Sequence, residues 1–162
     1  MKKILLRLTA LILLLSVLFI LFFLPRKYLV VSYQKTGEVI CRTAVRSGST
    51  VEVALTHSFE HVPWNEYYTV TETDTFLLNK ITVAGYGAGI PAEMDVTTRI
   101  EDGLVVMEGI NSEFPCFNWI TSQTNMKTLT VDGSVILSFD SIPNHSFVEA
   151  TIKTNRGLLF NG

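Results

Sequence analysis

An uninterrupted apolar run near the amino terminus constrains this chain most. Residues 8–24 include no charged residue, and Thr9 and Ser16 are the only polar side chains among them. As an α-helix, a run of this length would extend about 26 Å, close to the roughly 30 Å thickness of a bilayer's hydrocarbon core. The run is apolar on every face, which does not suit a helix that packs one side against a soluble core. We therefore expect a single transmembrane helix.

The flanks of this run favour an uncleaved anchor over a cleaved signal peptide, which is the alternative. Pro25-Arg26-Lys27 follows it, without the small residues that a signal peptidase site needs. Basic residues are slightly more numerous before the run than after it, which favours a cytoplasmic amino terminus. The sequence thus predicts a membrane anchor at residues 1–27 and an extracytoplasmic domain at residues 28–162, which begins almost at the surface of the cell membrane.

The predicted domain is acidic. Residues 28–162 contain eight Lys and Arg against 15 Asp and Glu, a net charge of −7. A phosphate backbone repels such a surface, so nucleic acid is excluded as a partner. The anionic inner leaflet of a membrane does not attract it either, which agrees with a location outside the cytoplasm.

The pattern of the domain predicts β-structure. Short runs rich in Val, Thr, Ile, Tyr and Phe alternate with turn residues about every ten positions. Residues 50–56 alternate apolar with more polar side chains, as a half-buried strand does. No window of the domain sustains a period of 3.6 residues, so helix should be scarce. We expect an all-β domain, either an antiparallel β-sandwich or a partly open barrel.

Two hairpins are predicted from dipeptides. Asp102-Gly103 and Asp132-Gly133 each separate two strand-like runs. Asp-Gly between strands favours a type I′ turn, in which both central residues have positive φ.

The two cysteines, Cys41 and Cys116, leave two alternatives open. Outside the cytoplasm they could form a disulfide, and closing the intervening loop would stabilise the fold by about 4.5 kcal/mol on the chain-entropy model. Alternatively, each is a separately buried thiol. Together with the three histidines, they do not have the spacing of a structural zinc site. No metal or other cofactor is indicated.

Residues 56–68 concentrate side chains that are typical of binding sites. They include two of the three histidines, two carboxylates, a tryptophan and two tyrosines. Polar groups beside aromatic rings suit the recognition of a small polar ligand or a protein partner. On an extended strand, alternate residues share one face. The candidate ligand- or partner-binding residues in this segment are His57, Ser58, Glu60, Trp64, Glu66 and Tyr68.

Three other interpretations of this segment are open. His57-x-x-Glu60-His61 has the order of a zinc-peptidase motif, but that motif needs a helix, and Pro63 follows closely. A hydrolase could use Ser58 as a nucleophile with a histidine as its base. His57 cannot easily reach Ser58, because neighbouring residues of a strand point to opposite faces, and nothing in the sequence places His145 beside Ser58. The glycine-flanked nucleophile elbow is absent. In the third interpretation, the polar groups are structural and satisfy one another's hydrogen bonds.

A glycine-rich segment follows at residues 82–91. Gly85, Gly87 and Gly89 recur at every second position, which is not the dinucleotide-binding pattern. Three glycines allow another backbone or a ligand to approach closely, so we include them among the candidate binding residues. The alternative is a bulged strand that leads into a tight turn.

Together, residues 57–68 and 85–91 resemble a family of small bacterial and archaeal proteins of unknown function. Members of that family have a hydrophobic amino-terminal segment and a β-rich domain. They are often encoded beside TRAP transporters of the TAXI type, which import organic acids with an extracytoplasmic solute receptor. The resemblance extends over residues 38–95, and it implies a transporter permease or solute receptor as partner. His61 departs from the family pattern, which weakens the zinc interpretation further.

These observations predict a membrane-tethered extracytoplasmic binding or accessory module rather than an enzyme. A structural subunit of a membrane complex, without a ligand site, is the first alternative. A hydrolase of unspecified substrate is the second.

Overall fold

The structure, a computed structural model, describes residues 2–23, 26–85, 96–122 and 124–155. Lys27–Lys153 form one compact unit, and the amino-terminal helix α1 (Lys2–Phe23) belongs to another. In this described part of the chain, no helix is both long and apolar enough to cross a membrane. The transmembrane helix expected at this segment stays a prediction.

Eleven strands make up the β-structure of the described residues. They are β1 (Arg26–Tyr33), β2 (Val39–Val45), β3 (Thr50–Thr56), β4 (Pro63–Val70), β5 (Phe76–Val83), β6 (Thr97–Glu101), β7 (Leu104–Phe114), β8 (Cys116–Ile120), β9 (Met126–Val131), β10 (Ser134–Ser138) and β11 (Phe147–Asn155). A four-stranded sheet has the order β2-β1-β11-β8, and a seven-stranded sheet has the order β10-β9-β3-β4-β5-β7-β6. The antiparallel all-β prediction is confirmed, with two sheets rather than a closed barrel.

The two sheets share one hydrophobic core. Buried side chains of β1 and β11, such as Leu29 and Val148, belong to the same cluster as Val53 and Phe76 of the larger sheet. The ring of Phe117 in β8 lies 4.0 Å from that of Phe76, measured between centroids. Alternation along each strand produces this arrangement, because every second side chain faces the core.

Both predicted hairpin turns are confirmed. Asp102 and Gly103 have φ values of 50° and 79°, and Asp132 and Gly133 have values of 46° and 79°. Positive φ at both central residues is the property that defines a type I′ turn and that favours glycine at the second position.

The prediction of scarce helix in the domain is also confirmed. Between residues 27 and 153, the described residues contain one short 3₁₀ helix, at Phe139–Ser141. Strand β7 continues past Glu108 to Phe114, across a bulge at which Gly109 and Asn111 have positive φ.

The cysteines are both free and half-buried. Cys41 lies on β2 and Cys116 on β8, which are opposite edges of the four-stranded sheet, with two strands between them. At about 4.8 Å per strand, their backbones are roughly 14 Å apart across the sheet, well beyond the ~7 Å limit of a disulfide. The disulfide alternative is therefore wrong for this fold. Burial raises the pKa of the Cys41 thiol.

Candidate functional site

The connection between β3 and β4 forms a compact loop at residues 57–62. The backbone N–H of His57 donates to the carbonyl of Val62 at 2.8 Å, and the N–H of His61 donates to the carbonyl of His57 at 2.9 Å. His61 has a left-handed φ of 55°. The two histidines thus lie on a loop rather than on the helix that a zinc-peptidase motif requires. The described residues contain no group of three or more His, Cys, Asp or Glu that could hold a metal ion.

His57 is fixed by two contacts inside this loop. Its Nδ1 accepts a hydrogen bond of 3.1 Å from the backbone N–H of Glu60. Its ring stacks against the indole of Trp64, with centroids 5.8 Å apart and an interplanar angle of 24°. Because Nδ1 accepts a hydrogen bond, it carries no proton, and the neutral imidazole has its hydrogen on Nε2. His57 therefore offers a hydrogen-bond donor at Nε2.

Strand β4 places three of the candidate side chains on one face, as its alternation predicts. Glu66 lies between Trp64 and Tyr68 along the strand. The indole Nε1 of Trp64 donates to Oε1 of Glu66 at 3.1 Å, and the hydroxyl of Tyr68 donates to Oε2 at 2.6 Å. The carboxylate thus has one protein donor on each oxygen.

This face of β4 is the inner one. In the sheet register Glu66 stands between Val53 of β3 and Ile81 of β5, both of which are buried core residues. A carboxylate in such a position needs hydrogen-bond donors, and Trp64 and Tyr68 supply them. Burial, and then the negative charge of Glu66, raise the pKa of the Tyr68 hydroxyl well above its usual range.

A cavity of about 260 Å³ opens where the loop meets this face. It contains four of the residues predicted from the sequence as binding residues, namely His57, Ser58, Trp64 and Glu66. The other lining residues are Leu55, Thr56 and Asn125. The structure thus brings an aromatic wall, a carboxylate and several hydroxyl and amide groups into one concave site.

Two predicted binding residues of the segment 57–68 do not line this cavity. The side chain of Glu60 is exposed, and only its backbone N–H reaches the site, through His57. Tyr68 is 7% exposed and packs against Phe117, with ring centroids 4.2 Å apart. It therefore acts on the site through its hydrogen bond to Glu66.

The glycine segment is described only at its start. A Cβ added to Gly85 would meet the side chain of Val62 at 3.8 Å, an ordinary van der Waals distance. A side chain would therefore fit at position 85, so steric crowding does not require glycine there. The predicted contributions of Gly87 and Gly89 lie outside the described residues.

Sequence reasoning missed Asn125, which precedes β9. The pairing of β3 with β9 brings it to the cavity, and its carbonyl accepts a hydrogen bond of 2.6 Å from the N–H of Thr56. Its side-chain Oδ1 accepts a hydrogen bond of 2.8 Å from Thr124. No local signal marks Asn125, because its place depends on the partner of β3 in the sheet.

The hydrolase alternative has no support in the described residues. His57 Nδ1 already accepts the Glu60 N–H, and the Ser58 hydroxyl makes no hydrogen bond to a histidine in this part of the chain. His145 lines a different cavity, beside Tyr33 and Phe147. A nucleophile and its base need to be within hydrogen-bond distance of each other.

A larger groove of about 590 Å³ lies on the opposite, outer face of the same strands. Two of its three charged side chains already have contacts within the protein. The ammonium group of Lys80 lies 4.2 Å from the ring centroid of Tyr67, and Glu108 pairs with Arg99, which lowers the pKa of that carboxyl group. The smaller inner cavity is therefore the stronger candidate site.

Comparisons with known proteins identify the family. No curated protein and no solved structure matches the chain. Residues 51–137 match the model of a domain of unknown function, DUF1850. This match confirms that the chain contains a domain of unknown function, as the sequence resemblance implied. It covers just over half of the 162 residues and includes every residue that lines the cavity. The chain therefore belongs to the DUF1850 family.

Proposed function

We propose that this protein is a membrane-tethered extracytoplasmic binding module that assists a solute transporter. The observation that carries the proposal is the cavity in which Trp64, Glu66 and His57 meet. Small-molecule sites are typically concave and combine apolar or aromatic walls with a few well-placed polar groups. This cavity has both properties.

The polar groups of the cavity retain capacity for a ligand. Each oxygen of Glu66 accepts one hydrogen bond from the protein, and a carboxylate oxygen can accept two. His57 offers its Nε2 hydrogen, and Ser58 offers a hydroxyl group without a protein partner among the described residues. The stacked rings of His57 and Trp64 hold this wall in one geometry, so that little conformational entropy is lost on binding.

Other observations support the membrane tether and the transporter partner of this proposal. The uncharged run at residues 8–24 has the composition of a membrane anchor. The sequence resemblance implies a TRAP transporter of the TAXI type, whose permease or solute receptor would be the partner. We place the domain outside the cytoplasm, beside that transporter.

Ligand binding is tested with the full chain in lipid nanodiscs, labelled with ¹⁵N. The indole N–H signal of Trp64 reports on the cavity, and that of Trp119, in the shared core, serves as the internal control. We expect a small-molecule extract of the producing cells to shift the Trp64 signal and to leave the Trp119 signal in place. An unchanged Trp64 signal at saturating extract would overturn the binding function.

The transporter partner is tested by co-purification. The full chain, extracted in mild detergent from its native membrane, should retain a transporter permease or solute receptor that mass spectrometry identifies. Recovery of the chain without any transporter component would contradict the accessory role.

A structural subunit is the second candidate, and one observation favours it. Glu66 is already hydrogen-bonded by Trp64 and Tyr68, as in a polar lock that orders a core. Replacement of Glu66 by Gln separates the two functions. A structural lock predicts a lower Tm and no ligand binding in either wild type or variant, whereas a binding site predicts wild-type binding that the variant weakens.

A further inference from the structure

We propose that the ligand of this cavity is an organic cation with an ammonium group, held by the carboxylate of Glu66. This inference rests on the proposed binding function and specifies its ligand class. It also separates the ligand of this protein from the organic acids that TAXI transporters import.

The charge of the cavity lining is the first argument. Glu66 is the only carboxylate among the seven lining residues, and none of them is Lys or Arg. His57 adds no positive charge while its Nδ1 accepts the Glu60 N–H. The seven described lining residues therefore have a net charge of −1.

The hydrogen bonds of Glu66 are the second argument. Trp64 and Tyr68 donate to different oxygens and so fix the orientation of the carboxylate before any ligand arrives. Each oxygen keeps a lone pair that can accept an N–H from an ammonium group. Hydrogen bonds between charged groups are roughly twice as strong as neutral ones, and partial burial strengthens the attraction further.

The aromatic wall is the third argument. An indole is the best of the side-chain rings for attracting a cation, and Trp64 lies beside the carboxylate in the same cavity. The hydroxyl groups of Thr56 and Ser58 are further acceptors for N–H donors.

A ligand with a carboxylate group would be repelled by the negative charge of Glu66. None of the described lining residues is a Lys or Arg that would offset the repulsion between this carboxylate and Glu66, and partial burial strengthens that repulsion. The same cavity therefore discriminates against organic acids.

The experiment compares three probes of matched shape on the full chain in nanodiscs. They are benzylammonium, benzyl alcohol and benzoate, each titrated at pH 8 while the indole N–H signal of Trp64 is followed. We expect benzylammonium to bind with a Kd about tenfold or more below that of benzyl alcohol, a difference of about 1.4 kcal/mol. Benzoate should not shift the signal.

The outcomes separate this inference from the proposed function. Tighter binding of benzoate or of benzyl alcohol would overturn the ammonium inference and leave the binding function standing. A Trp64 signal that shifts with the cell extract but with none of the three probes would also overturn the ammonium inference and leave the binding function standing. A Trp64 signal that neither the probes nor the extract shift would overturn both.

A charge-removing variant tests the role of Glu66. Glu66→Gln should raise the Kd for benzylammonium about tenfold and leave that for benzyl alcohol nearly unchanged. Glu149→Gln is the matched control, since Glu149 is a half-buried carboxylate on β11, in the other sheet, and it should alter neither Kd. An unchanged benzylammonium Kd in Glu66→Gln would overturn the assignment to Glu66. The wild-type comparison of the three probes decides the ligand class even where Glu66→Gln folds poorly.

Discussion

The hydroxyl of Tyr68 donates a 2.6 Å hydrogen bond to the carboxylate of Glu66, two residues before it on the same face of β4. This bond connects the core to the candidate site, because the ring of Tyr68 packs on Phe117 while Glu66 lines the cavity. It holds one carboxylate oxygen in place from the buried side.

Tyr68→Phe should therefore lower stability. The change removes a hydrogen bond to a charged group at constant ring packing, which costs about 1.5 kcal/mol and corresponds to a fall in Tm of roughly 4 °C. Differential scanning calorimetry measures it. Tyr67→Phe is the control on the outer face, since the Tyr67 hydroxyl has no hydrogen-bond partner among the described residues. Equal Tm values for the two variants would contradict a stabilising Tyr68–Glu66 bond.

Asp132 predicts a pH dependence of stability. Its carboxylate accepts hydrogen bonds from the N–H of Thr50 at 2.8 Å and from the hydroxyl of Ser49 at 2.9 Å, and the Thr50 bond is the main cause of its lowered pKa. A carboxylate whose pKa is lower in the folded than in the unfolded state stabilises the fold. This contribution is complete at pH values above the unfolded-state pKa of about 3.9, and it is lost as the pH falls through the folded-state pKa.

Asp132→Asn keeps a residue that tolerates positive φ but removes the charge. We expect it to lose about 1 kcal/mol at pH 7 in urea unfolding, and we expect this difference from wild type to shrink as pH falls below about 4. Asp102→Asn, in the other hairpin, has no such bonds among the described residues and should match wild type throughout. A difference for Asp132→Asn that grows on acidification would contradict the account.

The backbone and the side chain of Glu60 contribute differently to the loop. Its backbone N–H donates to His57 Nδ1, but its side chain is exposed. Glu60→Ala keeps that bond, so Tm should stay within about 1 °C of wild type and ligand binding should be unchanged. A fall of several degrees would mean that the carboxylate of Glu60 stabilises the loop.

The exposure of the Phe59 ring predicts that this side chain contacts a partner protein. It lies in the loop beside the cavity and is 72% exposed, which is unusual for a large aromatic side chain away from an interface. Phe59→Ser should leave Tm unchanged and reduce co-purification of the transporter component severalfold. Val135→Ser, at a position that is 62% exposed on β10, is the control. Equal recovery with both variants would exclude Phe59 from the interface.

Much of the fold follows from local pattern. Strands and hairpins depend on residues close in sequence, and the two Asp-Gly turns require only that glycine relieve the strain of positive φ. Sheet partners depend on contacts between distant residues. The pairing of β1 with β11 and of β3 with β9 carries no local signal, so neither the separation of Cys41 from Cys116 nor the place of Asn125 could be predicted.

The candidate site was predictable to the same extent as the fold. Alternation correctly placed Trp64, Glu66 and Tyr68 on one face. Alternation does not say which of the two faces is buried. The inner position became possible because Trp64 and Tyr68 donate to both oxygens, which is a property of three side chains together.

The most direct test of the binding function is a variant that fills the cavity without altering its charge. Ser58 is exposed and lines the cavity, so Ser58→Phe should fold normally and place an aromatic ring in the space that a ligand would occupy. The measurement is benzylammonium titration of the full chain, followed by the indole N–H signal of Trp64, with Tm recorded alongside. We predict an unchanged Tm and loss of at least nine-tenths of the affinity, which is about 1.4 kcal/mol. Unchanged affinity in a folded Ser58→Phe variant would contradict ligand binding in this cavity.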